Sequence, residues 1–151
     1  MPSQNFPATV LEPGDRERWT ELWRGYLTFY ETTLPDAIYE ATWARIMDPK
    51  GAIHALGVRD ADGRLVGITH YLFHAHAWAT TDACYLQDLF VDAALRGRGY
   101  ARALIEAVAA VARERNCCRL YWSTQETNAT ARLLYDRVAK NRGFIRYEYP
   151  L

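Results

Sequence analysis

Arg96-Gly97-Arg98-Gly99-Tyr100-Ala101 sets two glycines and two arginines between an apolar run, CYLQDLFV, and a strongly helical one. A glycine-rich turn from strand to helix leaves the first N–H groups of the helix unpaired, with the positive end of the helix dipole behind them. Bare backbone at Gly97 and Gly99 lets a ligand approach closely, and the guanidinium groups of Arg96 and Arg98 pair with oxyanions, so the stretch suits phosphate. On these residues alone, a tight turn with solvated arginines accounts for the pattern equally well.

Further along, Asn128, Ala131 and Tyr135 recur at i, i+3 and i+7, on one helical face with Leu134 and Val138. Tyr135 therefore points inward, either as a packed ring or as a group with chemistry. Asn128, after STQET, suits a helix N-cap and is equally free to touch a ligand. Gln87-Asp88 puts two polar neighbours inside the apolar strand YLQDLFV. Adjacent strand residues face opposite sides of a sheet unless a bulge re-aims one of them. His74 and His76 share a face of an extended segment but lack a third ligand nearby in sequence, so no metal is expected and they read as surface or packing histidines.

The elements that must position these groups follow from periodicity. Ala8 to Leu11 is a short apolar segment ended by Pro13-Gly14, after which Asp15 is a candidate helix cap. Trp19, Leu22, Trp23, Tyr26, Leu27 and Tyr30 recur at helical spacing across 16–31, and a second helix is expected over about 35–47. AIHALGVRD and RLVGITHYLFH, joined through Asp62-Gly63, read as a hairpin, and residues 82–91 add a strand to an antiparallel meander. A long helix follows the glycine turn, then a strand RLYWST, a helix from about Asn128 and a closing strand FIRYEY. Helix pair, meander, then β-helix-β-helix-β is an α+β order.

Half of the 151 residues are apolar, which suits a single domain, 1–151, with a sizeable core. Lysine plus arginine and aspartate plus glutamate number 18 each, so no global field draws the chain to nucleic acid or to a membrane surface. No signal-peptide pattern is seen and no run approaches the roughly 18 apolar residues of a membrane span, so a cytoplasmic location is expected. Three cysteines, two of them adjacent as Cys117-Cys118, form no disulfide framework and read as reduced thiols.

RGRGYA resembles the Arg/Gln-x-x-Gly-x-Gly/Ala signature with which N-acetyltransferases of the GNAT superfamily hold the pyrophosphate of acetyl-CoA. YLQDLFVD before it is similar to the family's fourth strand, and NATARLLY after it to the Asn-x-x-Ala-x-x-x-Tyr element. The likeness is close over about 83–149 and looks most like the polyamine and histone-type branch, that of diamine acetyltransferases. It implies the GNAT fold: a mixed central sheet with an N-terminal helix pair and two further helices packed on it. It also implies acetyl-CoA as co-substrate, held by Leu89, Phe90, Val91, Arg96 to Ala101, Asn128, Ala131 and Tyr135. In the family, the backbone at Leu89 to Val91 pairs with the pantetheine arm.

Acetyl transfer to a primary amine by direct attack needs an acid for the departing thiolate and a route for the ammonium proton. A phenol, with reference pKa about 10 against about 8.5 for a thiol, fits the first need, which assigns Tyr135 as general acid. Asp88 is the carboxylate expected to serve as base, the alternative being a buried structural carboxylate. Gln87 stands where polyamine-type relatives commonly carry glutamate; it is able to position substrate or water but not to act as base. The helix pair, one wall of the acceptor site in this family, supplies Tyr26, Tyr30 and Glu31, with Asp36 and Glu40 following, as aromatic faces and carboxylates for a cationic amine. The acceptor itself, whether polyamine, aminoglycoside, amino acid or protein lysine, stays open. The rival reading is a catalytically silent CoA-binding regulatory module. Where the superfamily usually closes its sheet with two strands, only GFIRYEYPL remains, so a homodimer involving this segment is expected, against a strand packed within its own monomer.

Overall fold

In the computed structural model, which describes residues 5–151, the meander forms the middle of a five-stranded sheet of order β1-β2-β3-β4-β5. β2 (His54–Arg59), β3 (Leu65–His74) and β4 (Ala83–Val91) are antiparallel neighbours, and β1 (Ala8–Val10) pairs antiparallel with β2 at one edge. The β2–β3 turn is held by Asp60, whose Oδ1 accepts from the backbone N–H groups of Asp62 and Arg64, while Gly63 takes φ +81°. β5 (Arg119–Tyr121) lies parallel to β4 at the other edge. A parallel neighbour requires a crossover, and α3 (Tyr100–Glu114) provides it.

Helices cover both faces because the central strands are apolar on both. α1 (Arg16–Phe29) and α2 (Asp36–Met47) bury Trp19, Leu22, Trp23, Leu27, Tyr39 and Trp43 against Ala55, Leu65 and Ile68. On the opposite face, α3 buries Tyr100, Leu104, Ile105, Val108 and Ala112 against Leu56, Val58, Val66 and Leu86. α4 (Ala129–Val138) adds Leu134, Tyr135 and Val138 to that side. This is the expected α+β arrangement of a mixed sheet with a helix pair and two further helices.

Two local expectations fail. Asp15 stands at the N-cap of α1 but makes no capping hydrogen bond; its carboxylate instead accepts from Arg59 Nη2 at 2.7 and 2.9 Å, tying the start of α1 to β2. FIRYEY forms no strand in the chain's own sheet. A strand needs a partner edge, and both edge strands, β1 and β5, are only three residues long, β5 half of the expected RLYWST. Phe144, Ile145, Tyr147 and Tyr149 consequently lie in solvent, each exposed to 76% or more.

Candidate active site

The polar interruption of β4 is resolved by a bulge. His70 pairs with Asp88 and Tyr71 with Leu86, so Gln87 has no partner across the ladder. Gln87 is exposed, and Asp88 turns inward beneath α1. Asp88 Oδ2 lies 2.8 Å from His70 Nδ1, while the Asp88 carbonyl accepts from Thr69 Oγ1 at 2.8 Å. His70 is buried, and its Nε2 lies 2.9 Å from Trp19 Nε1. Tyr26 of α1 faces the same carboxylate: burial first, and then the negative charge of Asp88, push its phenol far above the usual tyrosine range.

Beyond the bulge the sheet opens. β5 pairs with β4 only over Ala83–Tyr85, so from Leu86 to Val91 β4 has a strand on one side alone. Leu89, Phe90 and Val91 lie along this open edge, and the chain then enters the glycine turn. Asp92 anchors the turn's start: Arg18 first, then the Ala94 N–H, hold its carboxyl below the usual range, with Arg18 Nη2 at 2.6 Å. Gly97 and Gly99 take φ +79° and +93°, the left-handed region open to glycine, and α3 begins at Tyr100. Tyr100 is buried and packs on Phe6 at 4.2 Å between ring centroids. Arg96 donates to the Val91 carbonyl at 3.3 Å and lies over the Phe90 ring at 5.2 Å, and Ala101 is partly buried behind the turn. That ring rests on Gly25 of α1, where a Cβ would come within 2.7 Å of it. Among the described residues neither Arg96 nor Arg98 has a carboxylate partner. Glycine backbone, a helix start and two guanidinium groups without carboxylate partners make a cradle that fits a diphosphate.

Across the opening stands α4. Asn128 occupies its N-cap position without a capping bond; its Nδ2 donates to Thr124 Oγ1 at 3.2 Å. One turn on, Ala131 is partly buried, and Tyr135 packs edge-on against Trp122 at 5.4 Å. Burial, and secondly Tyr30, raise the Tyr135 phenol above its ordinary pKa, which keeps it protonated through neutral pH. Tyr30 in turn packs on Tyr26 at 4.9 Å. Asp88, Tyr26, Tyr30 and Tyr135 are therefore successive neighbours running from β4 under α1 to α4. Tyr85, near Tyr26, stacks on Tyr121 at 4.9 Å, and the Tyr121 hydroxyl meets His74 Nε2 at 2.7 Å.

The other acidic residues lie apart from this group. Glu31 follows α1 at φ +54° and faces solvent, and Asp36 and Glu40 are exposed on α2. His76 Nδ1 accepts from the Trp78 N–H at 3.1 Å in the β3–β4 loop. No group of three His, Cys, Asp or Glu able to hold a metal is present among the described residues. The residues missed from sequence are His70, Trp19, Tyr85 and Tyr121. The signal for His70 was present as a single imidazole inside the apolar strand LVGITHYLF.

A bulged fourth strand diverging from the fifth, with a glycine turn leading into a helix, is the architecture to be matched to a family. Residues 16–140 match the Acetyltransferase (GNAT) family, and the chain belongs to it. It is 34% identical over 149 residues to the D-amino-acid N-acetyltransferase HPA3 of Saccharomyces cerevisiae, covering 98% of this chain and 92% of that protein. The fold matches a ribosomal-protein-alanine N-acetyltransferase from Brucella melitensis biovar Abortus 2308 with TM-score 0.79 and 25% identity, over 96% of this chain and 98% of the other. It also matches AAC(6')-Iy, solved with the bisubstrate analogue CoA-S-monomethyl-acetylneamine, with TM-score 0.82 and 17% identity, over 97% and 98%. The protein is an N-acetyltransferase. Acetyltransferases of this family use acetyl-CoA.

Gly99→Val forces a β-branched residue to φ +93° at the start of α3. Calorimetry is expected to show loss of measurable CoA binding; unchanged affinity would remove residues 96–101 from the pyrophosphate site.

Proposed function

We propose that this chain transfers the acetyl group of acetyl-CoA to a small primary amine by direct attack. Acetyl-CoA supplies the activated acetyl thioester. The N–H groups of Gly97 to Ala101, with Arg96 and Arg98, hold its diphosphate, the open edge at Leu89 to Val91 takes the pantetheine arm, and Asn128 and Ala131 line its far side. The observation that carries this reading is the opening between β4 and β5, with Asp88 on one side and Tyr135 on the other, joined through Tyr26 and Tyr30.

The acceptor arrives as a cation, since an alkylammonium with pKa near 10 is almost wholly protonated at pH 7. Tyr26 and Tyr30 offer aromatic faces to it, and Asp88 offers the countercharge. Asp88 then accepts the ammonium proton, directly or through water, freeing the lone pair to attack. Gln87, beside it on the bulge, orients the amine or that water. Tyr135 gives its proton to the departing sulfur, and the second proton shed by the newly acylated nitrogen restores the phenol, directly or through water.

Asp88 is the carboxylate that the described residues bring to these tyrosines, an arrangement that matches one cationic head and leaves the further amines of a polyamine without partners. We therefore favour a monoamine, an amino acid or a lysine side chain, over the polyamine class that the sequence motifs suggest. The name of the yeast relative falls in the same class. Thiol release from acetyl-CoA against polyamines, aminoglycosides, L- and D-amino acids and lysine peptides tests this. Faster turnover of spermidine than of every monoamine would overturn the preference, and no release with any amine would favour a silent CoA-binding module.

Tyr135→Phe keeps the ring and removes the proton. Turnover is expected to fall about ten- to a thousandfold while CoA affinity stays near the parental value. Parental turnover across the pH range would make Tyr135 a packing residue.

The exposed segment Gly143 to Leu151, together with the short edge strand β5, supports a homodimer in which each copy lends this segment to the other. Light scattering is expected to give a dimer for the full chain and a monomer for a version ending at Arg142. A full-length chain that stays monomeric at micromolar concentration refutes the exchange.

A further inference from the structure

Behind Asp88 lies a buried imidazole that the reaction as described does not use. His70 is 2% exposed, sits opposite Asp88 across the β3–β4 ladder, and is flanked by the rings of Trp19 and Trp23 at 5.9 and 5.6 Å. Its two nitrogens are both engaged: Nε2 lies 2.9 Å from Trp19 Nε1 and Nδ1 lies 2.8 Å from Asp88 Oδ2. An indole nitrogen only donates, so His70 Nε2 must be the bare, accepting nitrogen. The one proton of the ring is then on Nδ1 and is donated to Asp88. A second proton on Nε2 would set two N–H groups head to head in a buried aromatic setting, with no acceptor for either. The surroundings thus select one tautomer of a neutral ring.

We propose that Trp19 and His70 are positioning residues for the reaction, forming a fixed-polarity relay that commits Asp88 Oδ2 and so aims the other carboxylate oxygen at the acceptor amine. The relay starts and ends on α1. Tyr26, two helical turns on from Trp19 and on the same face, meets the same carboxylate. Trp19, His70, Asp88 and Tyr26 therefore close a circuit through α1, β3 and β4, and the acceptor wall cannot shift without pulling on the carboxylate. The circuit also spans the bulge: His70 and Asp88 are the pair at which the register slips, so the side chain most free to wander after an unpaired residue is the one tethered. His70 exchanges no proton with substrate; its role is to hold a donor in place. This inference rests on Asp88 being the carboxylate that faces the amine.

The unmodified protein provides the first test. Long-range proton–nitrogen NMR on histidine-labelled protein, with His70 identified among the four histidines by its absence in a His70→Asn sample, is expected to show a protonated Nδ1 and a bare Nε2 at neutral pH. A proton on Nε2, with or without one on Nδ1, overturns the relay. Kinetics provides the second. His70→Leu deletes a hydrogen bond to a charged group and is expected to lower kcat about ten- to a hundredfold with the KM for acetyl-CoA little changed. His70→Asn, whose amide N–H takes the place of Nδ1–H, is expected to recover most of that loss and also decides the matter if the Leu variant does not fold. Equal loss in the Asn and Leu variants overturns the donor role. Asp88→Asn separates the two layers: if it cripples turnover while both His70 variants keep it, the relay alone fails, and if it leaves turnover intact, the role of Asp88 fails and the relay has no function.

Discussion

β4 and β5 stay hydrogen-bonded for three residues and then part, and the candidate site is built around that parting. A parallel pair that continued would leave no unpaired edge beside Leu89 to Val91 and no space between Asp88 and Tyr135. The bulge at Gln87 lies two residues beyond the last paired position, Tyr85. An extra residue on one strand bends it and increases its twist, which carries β4 away from a partner that is itself too short to follow. The cost is a row of unsatisfied backbone groups, tolerable only at a surface that water or a ligand reaches.

Around this opening the protein spends its tight packing on the walls. α1 approaches β4 closely enough that a glycine, Gly25, is required where the Phe90 ring lies, and Phe90 in turn carries Arg96 across its face. Arg18 of the same helix binds Asp92, the residue that opens the glycine turn. One helix therefore ties down the start of the glycine turn and also sets Tyr26 beside Asp88. Its Tyr26 is raised in pKa chiefly by burial, so this phenol remains a neutral donor and an aromatic face.

Much of the site was legible in the sequence where the physics is local. Gly97 and Gly99 had to be glycines because the turn takes positive φ, and the i, i+3, i+7 spacing of Asn128, Ala131 and Tyr135 fixed their common face before any contact was known. The bulge was legible as a question, two polar neighbours in an apolar strand, but which residue it ejects depends on the register with β3. Glu31, just past α1, and Asp36 and Glu40 of α2 are all exposed, a placement composition alone does not give, because a helical rotation of one or two positions decides which way a residue faces.

The sequence by itself determined the order of elements as far as α4, the glycine turn and the inward face of α4, since these rest on periodicity and on backbone preferences that act within a few residues. Only the tertiary structure decided that His70, 51 residues from Trp19 and 18 from Asp88, joins them through its two nitrogens, and that Tyr30 reaches Tyr135. It also decided that FIRYEY, strand-like in every local respect, finds no edge in its own chain. Hydrogen-bond polarity and strand pairing belong to pairs of distant residues, and no single segment carries the information about its partner.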